Sequence, residues 1–381
     1  MMNKICHFLG IIMLLFCLVK PGVALAESGL PDSAEFGYGV RLDLSGAQIN
    51  PSIAAAASLK LHWLALDFDW SNLWPARDSS PDLEPLNNAM YLAQQNHLSV
   101  MISITRPPAW VVSSAGPDPT MTTKVVKYLA RTYPDVLLAI ELFPGANTIR
   151  GWGTIPNPIA YLSLLQATTQ ALQSAGSPVI IVAAGLTPLP PDPPDGDIDD
   201  LVFLDALYNA GAQTWMPIIG IRMPETTGDP MFTPTQDEKR CLLHFEEVRQ
   251  VMLNHDHREG LIWLTGFSWP TGNLQPSDAI YQKTEAQTRW LNQSFQILKA
   301  QLYLGVAFFS QINPPGPRAV AENPISLIHQ DLSFHPALAN LGLLISPPAD
   351  NTKLSVQTVL IKRIVQEVQF KPSARNASSG Q

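Results

Sequence analysis

Several acidic residues follow apolar runs of the chain, at points where a strand is expected to end. Asp67 and Asp69 close the run that begins at His62, and Glu225 stands just beyond the run Ile218–Ile221. Two carboxyl groups that face each other across a bond can act as general acid and as nucleophile or base in hydrolysis. These three residues are therefore candidate catalytic acids, on the condition that the fold brings the ends of their strands together.

Tryptophans also collect at or just past the expected strand ends, as Trp70, Trp74, Trp110, Trp152 and Trp269 show. The flat face of an indole ring can stack on a pyranose ring while its N–H keeps a polar partner. Packing at the edge of a hydrophobic core is the alternative use for the same residues. The tryptophans therefore favour sugar recognition only weakly.

Eight short apolar runs can be predicted as strands, and amphipathic stretches lie between most of them. The runs are rich in Val, Ile and Leu without clean polar alternation, which is typical of strands that are buried on both faces. The predicted strands are Phe36–Val40, His62–Asp67, Ser99–Ile104, Val136–Leu142, Val179–Ala183, Ile218–Ile221, Leu261–Thr265 and Leu304–Phe309. The predicted helices are Leu83–Asn96, Met121–Tyr133, Pro158–Ala175, Leu201–Ala210, Gln236–Leu253 and Ala286–Gln301.

This alternation predicts an α/β fold, namely a closed (β/α)8 TIM barrel, in a single large domain. An open, doubly wound sheet is the alternative. The alternative is weakened because no Gly-x-Gly-x-x-Gly motif follows the first strand. In a (β/α)8 barrel the loops that follow the strands build the active face, so the acidic and aromatic residues above are expected to share one mouth.

The two ends of the chain differ from this central pattern. Residues 1–26 combine Lys4, an apolar run and the small-x-small sequence Ala24-Leu25-Ala26, which predicts a cleaved signal peptide and a secreted or cell-envelope protein. An uncleaved N-terminal anchor is the alternative. The barrel is expected over residues 27–346. Residues 347–381 form a C-terminal extension that we expect to be partly disordered.

The composition argues against several classes of binding partner. A formal net charge of -8 argues against nucleic acid, because a protein that binds nucleic acid needs an excess of cations. Only Cys241 lies beyond the predicted signal peptide, and its apolar neighbours indicate a buried thiol rather than a metal ligand or a reactive group. His255 and His257 are predicted to lie in a surface turn. No cofactor or metal is expected, no membrane span is expected in the mature chain, and the oligomeric state is left open.

With the strands placed, several segments resemble clan A glycoside hydrolases, closest in style to families 39 and 5. The end of the second strand, Asp67 to Pro75, resembles the family's Asp-Phe-x-Trp-x-x-Ile-Glu-Pro segment. The segment around Glu141 resembles Glu-x-Trp-Asn-Glu-Pro-Asn, and the segment Trp263–Trp269 resembles Trp-x-Thr-Glu-Phe-Gly-Trp. The resemblance spans residues 36–338 and implies a glycosidase barrel with a carbohydrate-binding cleft.

The departures from the family pattern fall on the residues that carry the chemistry. The resemblance puts the acid/base glutamate at Gly145 and the nucleophilic glutamate at Gly266. Retaining hydrolysis needs two carboxyl groups about 5–5.5 Å apart, and glycine can neither donate a proton nor attack the anomeric carbon. Glu141, four residues before Gly145 on the same strand, is expected to lie about 13 Å deeper as a buried carboxylate paired with Arg41 or Arg222.

Three functions remain open at this point. The first is a catalytically inactive barrel that binds carbohydrate or a cell-envelope glycan. The second is a hydrolase with relocated carboxylates, for which Asp69 and Glu225 are the candidate acids. The third is a scaffold or interaction barrel with no sugar ligand. The predicted substrate-binding residues are Arg41, Trp70, Arg106, Trp110, Asn147, Trp152, Arg222 and Trp269.

Overall fold

The structure is a computed structural model that describes residues 36–193, 196–223, 226–269, 279–314 and 326–345. The chain divides into a unit Met1–Leu30, which lies outside these residues, and a unit Pro31–Gln381, which contains every element given below. The predicted signal peptide, the C-terminal extension 347–381 and Glu225 all lie outside the described residues.

Eight parallel strands close into a barrel. The strands are β1 Gly37–Leu42, β2 Trp63–Asp69, β3 Ser99–Thr105, β4 Leu137–Leu142, β5 Ile180–Leu186, β6 Ile218–Met223, β7 Leu261–Phe267 and β8 Leu304–Phe309. They run around the barrel in the order β1-β8-β7-β6-β5-β4-β3-β2. The closing pair is β1 with β8, in which Val40 stands opposite Phe309. The predicted (β/α)8 barrel is thereby confirmed, and each predicted strand is present with both ends within three residues of the prediction.

Helices follow the strands and pack against the outside of the barrel. They are α1 Ile49–Ser58, α2 Trp70–Leu73, α3 Glu84–Gln95, α4 Pro119–Thr132, α5 Ile149–Trp152, α6 Pro158–Ser174, α7 Asp200–Asn209, α8 His244–Asn254, α9 Ala279–Lys299 and α10 Pro336–Ile345. Short 3-10 turns lie at Ala109–Val111 and Gln213–Trp215, and a small hairpin pairs Val112–Ser113 with Gly116–Pro117. Within the described residues, we find no helix with the length and apolar character that crossing a membrane demands.

The helix starts follow from local capping. Asp118 accepts hydrogen bonds from the backbone N–H groups of Thr120 and Met121, and a proline occupies the first turn of α4. Asn157 caps α6 and Asp199 caps α7 in the same way. A carboxylate or amide oxygen at this position satisfies N–H groups that have no partner within the helix.

The predicted start of this helix at Gln236 is wrong, because α8 begins at His244. The residues before it form turns, in which the N–H of Cys241 donates to the carbonyl of Lys239 at 2.8 Å. These turns bury the Lys239 ammonium against the Asp199 carboxylate. An ion pair between distant segments overrides the helical periodicity here. Cys241 is buried as expected, and burial raises the pKa of its thiol to about 11.

The lower part of the barrel interior is filled by aromatic rings. Trp63 meets Trp263 edge to face with ring centroids 5.2 Å apart, and Phe308 lies 6.3 Å from Trp63. Glycine makes room for them on β1, since a Cβ on Gly39 would lie 2.5 Å from the Phe308 ring. The interior becomes polar only above this layer, on the side where the strands end.

A buried ionic cluster ties the loop after β5 to the loop after β6. His244 is fully buried, and its two ring nitrogens lie 2.6 Å from Asp200 and 2.8 Å from Glu247. Burial opposes the charge on the imidazole, but the carboxylates outweigh it and raise the pKa of His244 from 6.5 to about 9. Lys239 and Asp199 complete the charges that face this ring.

We therefore expect the protein to lose stability at alkaline pH. Because the pKa of His244 is higher in the folded state, its contribution is complete below about pH 6.5 and disappears as the pH rises through about 9. The loss should be on the order of 3 kcal/mol in the free energy of unfolding. Urea unfolding between pH 6 and pH 10 measures it, and the variant His244→Gln should be less stable at pH 6 with a flatter profile. An unchanged slope in that variant would contradict the assignment.

Candidate functional site

Gly266 lies where β7 approaches the mouth of the barrel. It is the last residue but one of β7 and stands opposite Arg222 of β6. A Cβ on Gly266 would lie 2.9 Å from Ser310 Oγ, 3.1 Å from Arg41 Cδ and 3.4 Å from Arg222 Cγ. Side chains from β1, from β6 and from the end of β8 therefore occupy the space into which a residue at 266 would project.

Gly145 lies in the turn that follows β4, and its backbone needs glycine. Its φ is +75°, and its N–H donates to the carbonyl of Gly185 at 2.6 Å. A side chain in this left-handed region costs about 1–3 kcal/mol. A Cβ there would also lie 3.1 Å from Thr187 Oγ1 and 3.3 Å from Thr148 Oγ1.

Two arginines share one aspartate across the mouth, and we call Arg41, Asp67 and Arg222 the mouth triad. Arg41 Nη2 donates to Asp67 Oδ1, while Arg222 Nη2 lies 2.9 Å from Oδ2 and 3.2 Å from Oδ1. The side chains are 5%, 31% and 20% exposed in that order, so the triad is only partly open to solvent. Burial raises the pKa of Asp67, but the Arg222 and Arg41 guanidinium groups outweigh it and hold that pKa below its ordinary value.

Glu141 lies below the mouth triad and is completely buried. Its burial is as predicted, and Arg41, one of the two predicted partners, reaches it through a hydroxyl rather than directly. Ser103 lies between them, because it donates to Glu141 Oε2 and accepts from Arg41 Nη2 at 3.2 Å. The other oxygen, Oε1, has no hydrogen-bond partner among the described residues. It packs against Gly185, where a Cβ would lie 2.1 Å from Oε1.

Asp69, the second carboxylate that β2 brings to the mouth, is also engaged. It forms an ion pair with Arg106, whose side chain is 54% exposed. It also caps α2, since Asp69 accepts from the N–H of Asn72 at 3.1 Å and from its Nδ2 at 2.8 Å. Asp69 is therefore held in place by Arg106 and by the start of α2.

Three of the tryptophans expected to face a sugar are buried, which corrects that expectation. Trp70 is 0%, Trp152 is 1% and Trp269 is 3% exposed, so none of them presents a face to a ligand. Trp152 donates from Nε1 to the carbonyl of Ala115 at 3.2 Å, and Trp269 donates to that of Gly228 at 2.8 Å. These rings pack the walls of the mouth.

Asn147 is likewise structural rather than exposed to a ligand. It is completely buried, its Nδ2 donates to the carbonyls of Thr187 and Ile198 at 2.9 Å, and its Oδ1 accepts from the N–H of Thr187 at 3.0 Å. The amide thereby joins the loop after β4 to the loop after β5. Among the tryptophans predicted to bind substrate, Trp110 remains the one that reaches the surface.

Trp110 forms a half-buried aromatic surface beside the mouth. Its ring lies 5.1 Å from that of Trp74, edge to face, and the guanidinium carbon of Arg77 lies 6.0 Å from its centroid. Trp110 Nε1 donates to the carbonyl of Trp74 at 3.3 Å. This surface can offer stacking and a cation to one ligand.

Sequence reasoning missed Ser103 and the roles of two glycines. Ser103 interrupts the apolar run from Val100 to Ile104 within β3, and this interruption is the signal that could have identified it. The register places it opposite both Asp67 and Glu141. Gly185 and Gly220 make room for Glu141 Oε1, a role that only the packed barrel reveals.

No protein-family model and no curated protein sequence matches the chain. Solved structures do match. A family 39 glycoside hydrolase from the gut symbiont Bacteroides cellulosilyticus WH2 superposes with a TM-score of 0.58 at 14% identity, over 84% of this chain and 65% of that one. The chain thus spans less than two thirds of the length of that enzyme.

Two further structures come from other families. The first is a GH5_18 variant from Bifidobacterium longum subsp. longum in complex with Manb1-4GlcNAc, with a TM-score of 0.57 at 11% identity over 83% of this chain and 79% of that one. The second is a GH128 (subgroup II) endo-beta-1,3-glucanase from Sorangium cellulosum, with a TM-score of 0.51 at 12% identity over 82% and 98%. Clan A glycoside hydrolases are therefore structural neighbours of this chain, and likeness at these identities establishes the fold alone.

The mouth triad generates a prediction about stability. Asp67→Asn should lower the free energy of unfolding by about 1–3 kcal/mol, because two guanidinium groups lose their shared carboxylate. The double variant Asp67→Asn/Arg222→Gln should cost less than the sum of the two single changes, since the removed groups are partners. Urea unfolding of the four proteins measures this coupling. Strict additivity would show that the two residues do not interact in solution.

Proposed function

We propose that this chain is an exported barrel of the glycoside-hydrolase type that binds carbohydrate at its mouth and does not hydrolyse it. The observation that carries the proposal is the environment of Gly266. The resemblance puts a nucleophilic glutamate there, whereas this chain offers a glycine enclosed by Ser310, Arg41 and Arg222.

The chemistry of the remaining acids supports inactivity. Hydrolysis needs one carboxyl that carries a proton and a second that attacks or activates water. Asp67 has a lowered pKa and is bound by two arginines, so it does not suit proton donation. Asp69 is bound by Arg106 and by the start of α2. In a relocated pair built on Asp69 and Glu225, Asp69 would have to leave these contacts, and Glu225 lies outside the described residues.

Carbohydrate binding is supported by what surrounds the mouth. Trp110 and Trp74 provide an aromatic surface beside the strand ends, with Arg77 over the Trp110 ring. Arg106 stands 54% exposed at the end of β3 and provides donors toward solvent. Aromatic faces next to convergent donors are a combination that suits sugars, whose rings have an apolar face and a hydroxyl-rich edge.

Export rests on the N-terminal sequence pattern. Lys4, the apolar run and the small residues around Leu25 fit a signal peptide. A destination outside the cytoplasm agrees with a cell-envelope glycan as ligand. N-terminal sequencing of the protein purified from the producing cell tests this part, and a mature chain that still begins at Met1 would contradict it.

The central test compares binding with turnover on the same sugars. The wild-type protein should bind members of a glycan array through the mouth, and Trp110→Ala should reduce that binding about tenfold or more. Tyr91, exposed on α3, provides the control variant Tyr91→Ala, which should leave binding unchanged. Reducing-sugar release and aryl-glycoside assays should show no turnover. Turnover that Asp69→Asn or Glu225→Gln abolishes would establish a hydrolase with relocated acids, and the absence of all sugar binding would favour a scaffold.

Restoring the two glutamates should not create an enzyme. Gly145→Glu forces a side chain into a left-handed backbone position, and Gly266→Glu places a Cβ against Ser310 Oγ and Arg41 Cδ. We expect the double variant to lose about 2–5 kcal/mol of stability and to hydrolyse nothing. Thermal unfolding and aryl-glycoside assays measure both effects. The variants Gly145→Ala and Gly266→Ala separate the steric cost from the effect of charge, and measurable turnover by the double glutamate variant would refute the prediction.

A further inference from the structure

The mouth triad leaves one guanidinium edge unused. Arg222 bonds to Asp67 through Nη2 alone, and its Nε and Nη1 donors have no hydrogen-bond partner in the described part of the chain. The side chain is 20% exposed, so this edge lies at the opening of the barrel. An arginine with free donors at a partly desolvated mouth is suited to a planar acceptor such as a carboxylate.

A second, independent observation points to a missing acceptor at the same place. Ser310 is 6% exposed, and its Oγ has no hydrogen-bond partner among the residues that the structure describes. This hydroxyl lies 2.9 Å from the point that a Cβ on Gly266 would occupy, and Arg222 Cγ lies 3.4 Å from that point. A buried hydroxyl without a partner is costly, so an acceptor within reach of Ser310 Oγ would remove a penalty that the free protein carries.

The shape and charge of Arg222 favour an acceptor that is a planar anion. Arg41, Arg106 and Arg222 face Asp67 and Asp69 at the strand ends. Arg41 and Arg106 each pair with one of these carboxylates, and Arg222 only shares Asp67 with Arg41. The protein as a whole has a net charge of -8, so the arginines at the mouth stand against the general charge of the surface.

We propose that the ligand is an acidic glycan, and that a carboxylate of one of its sugar units binds at the free edge of Arg222 beside Gly266 and Ser310. This inference rests on the proposed function, because it assigns a chemical class to the carbohydrate that the mouth binds. The ligand carboxylate lies on the open side of Arg222, next to the space that Ser310, Arg41 and Arg222 fill around Gly266. The sugar units on either side reach toward Arg106 and the Trp110 surface.

The test uses a matched pair of probes, trigalacturonate and its fully methyl-esterified form, which share one backbone and differ in charge. Isothermal titration calorimetry at low and at moderate salt should show that the acid binds at least about tenfold more tightly than the ester. The advantage should shrink as salt rises, since exposed charge pairs are screened. Free galacturonate and acetate serve as further probes, and they should bind weakly because they lack the neighbouring sugar units.

Variants at the proposed carboxylate site test which residues cause the preference for the acid. Arg222→Gln should remove most of the preference for the acid, and Ser310→Ala should weaken binding of the acid about threefold while leaving the ester unchanged. The matched control is Arg258→Gln, which removes the same charge from a side chain that is 74% exposed in the turn before β7. Arg222→Gln/Asp67→Asn provides a second variant that removes the ion pair as a unit if the single change does not fold. Arg222→Lys keeps the charge but not the planar fork, and it should restore only part of the preference.

The outcomes separate the two proposals. Equal affinity for acid and ester overturns the acidic-glycan proposal and leaves carbohydrate binding intact. A preference for the acid that survives in Arg222→Gln and in Arg222→Gln/Asp67→Asn overturns the assignment to Arg222. Binding of free acetate as tight as that of trigalacturonate shows a simple anion site and also overturns the proposal. Absence of binding by every sugar, on the array as in the titrations, overturns the proposed function itself.

Discussion

The contact on which the mouth depends is the sharing of Asp67 by Arg41 and Arg222. These side chains come from β1, β2 and β6, so their contact spans the barrel above Gly266. A charge at a partly buried position must be paired, because removing it from water without a partner costs several kcal/mol. Pairing of this kind fixes the position of both arginines. It also holds Asp67 in its charged form, whose lowered pKa is incompatible with proton donation.

The same constraint explains the residues below the triad. Arg41 reaches Glu141 through Ser103, so four charged groups and one hydroxyl form a continuous chain from the barrel interior to its opening. Two cations and two anions balance within this chain. Glycines at 185 and 220 provide the room for Glu141, and glycine at 266 provides the room for the arginines. The charged side chains of the interior therefore depend on the glycines around them for space.

The eight strands could be predicted from the sequence because burial on both faces leaves an apolar run that few other elements produce. The start of α8 could not, because the ion pair of Lys239 with Asp199 joins segments 40 residues apart. Contacts between distant segments also limited the prediction of the residues at the mouth. Trp70 and Trp152 follow strands in the way that ligand-facing residues do, and only the packed structure shows that their rings are turned into the walls. Sequence position places a residue at a strand end, whereas its direction depends on side-chain packing.

Gly145 and Gly266 are constrained by different physical effects, although the sequence alone does not distinguish them. Gly145 is required by its backbone, since its φ of +75° and its close contact with the loop after β5 favour no other residue. Gly266 lies in a regular strand, and its constraint comes from its neighbours, since a Cβ there would lie 2.9 Å from Ser310 Oγ and 3.1 Å from Arg41 Cδ. A side chain at 145 therefore strains the backbone of a turn, whereas a side chain at 266 requires shifts of the side chains around it. The two positions are thus constrained by different forces, one within the backbone and one between side chains.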